Sequence, residues 1–69
     1  MNNLYIFRAT LYTSLDLADI QPHFMRVKHD GNTKHIETDP INLGDVKECV
    51  SRLTHKNVLL LSVSVDLSV

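Results

Sequence analysis

Between Leu4 and Thr13 the chain alternates, with Tyr5, Phe7, Ala9 and Leu11 on one parity and Leu4, Ile6, Arg8, Thr10 and Tyr12 on the other. A period of two, rich in aromatic and β-branched side chains, predicts a strand. Ser14 to Ile20, SLDLADI, fits two patterns. Ser14 suits the N-cap of a short helical turn that Pro22 would stop, while Leu15 and Leu17 would also extend the alternation; a turn of helix or a compact loop is expected.

Two short strands follow, His23 to His29 and Thr33 to Thr38. With Gly31-Asn32 as a two-residue turn, Asp30 faces Thr33, Val27 faces Ile36 and Arg26 faces Glu37. That register sets apolar against apolar and cation against anion. An Asp30-Gly31 turn would bring Met25 opposite Ile36 and leave the faces unchanged. Asp39-Pro40 ends the hairpin. Asn42 then stands as N-cap, with Asp45 adding negative charge to the first turn and Ile41 and Val46 placed as a hydrophobic staple. Leu43, Val46, Val50 and Leu53 share one face with Cys49 beside them, predicting a helix from about Leu43 to His55 that Asn57 closes in the left-handed conformation. In the last strand Leu59, Leu61, Val63, Val65, Leu67 and Val69 alternate with Val58, Leu60, Ser62, Ser64, Asp66 and Ser68.

The order β-β-β-α-β predicts an α+β fold in a single domain, residues 1–69. Short connections would make the first three strands antiparallel neighbours, and the helix would return the chain to the far edge. The expected sheet is four-stranded and mostly antiparallel, of order 3-2-1-4, with the last strand parallel to the first. One helix covers one face. On the other, parallel pairing would gather Leu4, Ile6, Val58 and Leu60 into an apolar cluster with Arg8 and Tyr12 at its rim, the kind of surface that meets another chain.

Composition narrows the setting. At 69 residues the chain has one core's worth of surface to bury, and such small domains commonly gain stability from disulfides, metals or oligomerisation. The single Cys49 excludes an internal disulfide and suits a reducing, cytoplasmic compartment. No spaced Cys/His cluster suggests zinc, and neither a signal peptide nor a membrane span is expected. The formal charge of −1 gives no long-range pull toward nucleic acid or anionic lipid.

Candidate chemistry is sparse. His29 and His35 flank the DGN turn, but the register that pairs Val27 with Ile36 sends them to opposite faces, where they cannot share an ion. Cys49 with His55 points in different directions along a helix, and Ser51 with His55 lacks an acid or an oxyanion hole. Gly44 at the helix start reads as a tight entry, and no Gly-rich phosphate loop exists. The expected function is therefore non-enzymatic and needs no cofactor or metal. It is a protein–protein interaction module that binds and modulates a larger protein, as phage-type (viral) inhibitors and regulatory adaptors do, or pairs as a homodimer. The alternative is a single-stranded nucleic-acid binder using Arg8, Tyr12, Phe24, Arg26 and Lys28 on the open sheet face.

Overall fold

The computed structural model describes residues 3–68, so Val69, read above as the end of the last alternation, lies outside the described residues. The chain forms β1 (Tyr5–Tyr12), a 3₁₀ turn (Ala18–Ile20), β2 (Met25–Asp30), β3 (Thr33–Thr38), α1 (Leu43–Thr54) and β4 (Leu59–Leu67). The α+β class, four strands and one helix, is the one the patterns predict. The hairpin register is too: Asp30 faces Thr33, Val27 faces Ile36 and Arg26 faces Glu37. Gly31 has φ +60° at the first turn position, where a II′-type turn needs a residue free of a Cβ penalty.

Strand order differs from the expected 3-2-1-4. The sheet runs β2-β3-β1-β4, and every pairing is antiparallel. Residues 13–24 are not a short connection but a crossover, carrying the chain back along the sheet so that β3 inserts between β1 and β2. Cross-strand chemistry favours this order, because Glu37 of β3 then stands opposite both Arg8 and Arg26. Since β3 runs against β1, the helical return makes β4 run against β1 as well, not parallel to it.

Phe7, Ala9, Leu11, Ile36 and Met25 form the sheet side of the core, and Val46, Cys49 and Leu53 the helix side. Leu43, expected in the helical stripe, is 46% exposed on the first turn, and Val50 is half-buried. The Asn42 side chain caps the helix by accepting from the Asp45 N–H at 2.8 Å. No left-handed residue closes the other end; the His55 and Lys56 N–H groups donate to the Ser51 and Leu53 carbonyls instead. Leu17 and Ile20 are buried in the same cluster, and Asp19 pairs with Lys56 just beyond α1. The SLDLADI segment thus lies in the helix layer and leaves the second sheet face open.

Along β4 the alternation is interrupted. Thr10 faces Ser62 but Leu11 faces Leu60, so Leu61 is the extra residue of a β-bulge. The bulge brings Leu60 to the helix side beside Leu11 and Leu59 to the open side beside Tyr12, reversing both expected positions. No helix among the described residues is long and apolar enough to cross a membrane.

Candidate functional site

The open face is polar and laced with ion pairs. Arg8 holds Glu37 at 2.9 Å and Asp66 at 3.1 Å, while Arg26 holds Glu37 at 3.1 Å and Asp39 at 2.5 Å. Hydrogen bonds from Arg8, then from Arg26, keep the Glu37 carboxyl below its usual range, and Asp39, then Glu37, hold the Arg26 guanidinium more firmly protonated. Lys28 and His35 face each other on the next row, with Thr10 Oγ1 3.3 Å from His35 Nδ1. Of the residues proposed for nucleic acid, Arg8, Arg26 and Lys28 line one shallow depression. Tyr12 lies at the end of the face, 51% exposed, its hydroxyl accepting from Asn32 at 3.4 Å. Phe24 packs half-buried against the core and does not join them.

The six residues expected to form an apolar partner site are not brought together as a set: Tyr12 and Val58 line one depression, but Leu4 and Ile6 lie toward the opposite end of β1. Because β4 is antiparallel to β1, Ile6 faces Asp66, and Leu4 accepts a hydrogen bond from the Ser68 N–H. Val58 and Leu60 lie toward the other end of the sheet, on the order of 15–30 Å along the strand. Val58 packs against the core, and Arg8 sits mid-face within its carboxylates.

The apolar surface lies elsewhere. Every residue of β4 is exposed, with Leu59 at 61%, Leu61 at 56%, Val63 at 49%, Val65 at 43% and Leu67 at 64%. An α-helix is about 10–12 Å across and strands are about 4.8 Å apart, so one helix shelters roughly two strands. Here α1 and the Leu17–Ile20 segment pack with the buried helix-side residues of β1 and β3 and with Met25 of β2, and the helix-side row Leu60, Val63, Val65 and Leu67 stays exposed. That arithmetic was available from the sequence, where one helix and four strands were already legible.

The two sheet edges contrast. The β2 edge carries Arg26, Lys28, His29 and Asp30, charges that discourage strand addition. On β4 the only ionisable side chain is Asp66, and it turns to the open face beside Arg8. Backbone polarity can be followed along the ladder. Tyr5 exchanges both backbone bonds with Ile41, at 2.7 and 2.9 Å, while Leu4 accepts from Ser68 at 2.8 Å. Antiparallel ladders alternate, so Ser64, Asp66 and Ser68 turn their N–H and C=O groups toward β1. Val63, Val65 and Leu67 turn theirs outward.

The remaining candidates do not assemble. His29 faces Lys34 and His35 faces Lys28, on opposite sides of the hairpin. His55 Nδ1 lies 2.6 Å from the Ser51 carbonyl oxygen, not its hydroxyl. Cys49 is a buried free thiol whose pKa is raised by desolvation first and by Asp45 second, the reverse of what a nucleophile needs. No group of three or more metal-ligating side chains occurs among the described residues. Comparison with protein-family models, curated proteins and solved structures finds no match to this chain.

Proposed function

We propose that the protein is a non-enzymatic interaction module, of the kind that modulates its target as an inhibitor or adaptor does, and that it acts by adding β4 to the sheet of another chain, a larger partner protein or a second copy of itself. The observation that supports this reading is the bare, apolar β4 edge opposite a β2 edge laced with charge. Strand addition supplies affinity through main-chain hydrogen bonds and specificity through alternate side chains. The buried free thiol of Cys49 is consistent with a cytoplasmic setting. Single-strand nucleic-acid binding has less support, because Arg8 and Arg26 are already held by carboxylates and Phe24 packs half-buried against the core, apart from them.

Affinity capture from the host extract tests the proposal, with the wild-type chain compared against Leu67→Asp. Leu67 is 64% exposed, so the substitution leaves the core untouched. The expected result is a chain retained in stoichiometric amount by the wild type, either a partner protein or untagged copies of this protein, and lost with the variant. An identical set of retained proteins on both would contradict it.

A further inference from the structure

We infer that the partner of β4 is a second copy of this chain, joined edge to edge about a two-fold axis through Val65. This rests on the reading of β4 as the docking edge, and it adds the occupant and the register.

The stretch free of the bulge runs from Ser62, opposite Thr10, to Ser68, whose N–H reaches Leu4. Its midpoint is Val65. Antiparallel pairing about that midpoint sets Val65 against Val65 of the second copy, Val63 against its Leu67, and Ser64 against its Asp66. The residues whose backbone groups turn outward, Val63, Val65 and Leu67, thereby meet one another, each pair exchanging two N–H···O bonds. A register centred on Ser64 would instead set Leu67 against Leu61, the bulge residue, where the ladder is broken.

Side chains agree with the backbone. On the helix side every cross-strand pair is apolar, and on the open side each Ser64 hydroxyl donates to an Asp66 carboxylate. No like charges stand directly opposite. Within the paired stretch the exposed apolar residues, Val63, Val65 and Leu67, offer on the order of 250 Å² per copy, so main-chain hydrogen bonds carry most of the contact and the pairing is weak.

Sedimentation equilibrium from about 1 μM to 1 mM reads the association directly. Wild type should pass from monomer to dimer and stop there. Val65→Lys sets two cations against each other on the axis and should weaken association about 100-fold or more. Cysteine cross-linking with oxidised glutathione supplies the register. Residues in a bonded antiparallel pair have Cα atoms about 5.5 Å apart, within disulfide reach. Val65→Cys should therefore cross-link to itself, whereas Val63→Cys, which faces residue 67 of the other copy, should not. The buried Cys49 in the parent chain controls for adventitious coupling.

A Val63→Cys chain that cross-links as readily as Val65→Cys overturns the register. A wild type that stays monomeric up to about 1 mM overturns self-pairing. If that monomer still captures a different protein, lost on Leu67→Asp, the docking edge stands and only its occupant is wrong. If it captures none, both proposals fail.

Discussion

Where β3 parts from β1, the hydroxyl of Thr38 takes the place of a ladder carbonyl. Thr38 is 1% exposed, and its Oγ1 accepts from the buried Phe7 N–H at 3.0 Å. Thr38→Val keeps the shape but strands that donor, so it should cost about 1–3 kcal/mol by urea unfolding, with Thr38→Ser retaining most of the stability. Equal losses for the two variants would show that the hydroxyl is not what matters. Glu37 gives a pH-dependent counterpart. Its carboxyl is held below the usual range by Arg8 and Arg26, so the folded state takes up its proton less readily than the unfolded chain does. The stabilisation is complete above the ordinary glutamate pKa and is lost as pH falls through the depressed folded value. The difference in urea midpoint between wild type and Glu37→Gln should be largest near neutrality and shrink in acid. A difference that does not change with pH would contradict this origin. The Glu37 pairing with Arg26 was legible from hairpin register; the pairing with Arg8 was not, because it depends on which strand lies beside β1.

Among the elements, the hairpin and α1 are readable because their determinants are local: a Gly-Asn turn between two matched arms, and a capped amphipathic stripe. Gly31 is the clearest case. Its φ is +60° and no atom lies within 4 Å of where a Cβ would sit, so replacement by alanine meets no clash, only the backbone penalty. Gly31→Ala should lower stability by about 1–2 kcal/mol, with Gly31→Asn recovering part of it, as thermal or urea unfolding would show. A neutral Gly31→Ala would contradict the assigned turn. The SLDLADI segment resisted reading for the opposite reason. Leu17 is a left-handed, non-glycine residue at φ 65° and 1% exposure, a conformation costing roughly 1–2 kcal/mol and offset by burial of the leucine side chain, about 1.5–3 kcal/mol. No local sequence signal announces such a trade.

At the scale of the whole molecule, fold class followed from the number and type of elements, while strand order depended on whether residues 13–24 turn or cross. That one step decided the direction of β4, and with it which apolar residues meet. Leu4 and Ile6 were separated from Val58 and Leu60, and the bare surface moved to the helix side of the edge strand. The Leu61 bulge moved Leu60 and Leu59 between faces for a reason that strict alternation conceals. What results is a small sheet with one guarded edge and one open edge, the open one matching itself about Val65. Amide hydrogen exchange along β4, followed at low and high protein concentration, tests that match residue by residue. In the monomer the Ser64 and Asp66 amides face β1 and should exchange slowly, while those of Val63, Val65 and Leu67 face outward and should exchange fast. Paired copies should slow those three amides as concentration rises, with little change at Ser64 and Asp66. Fast exchange at Val63, Val65 and Leu67 up to the highest concentration would contradict the paired edge.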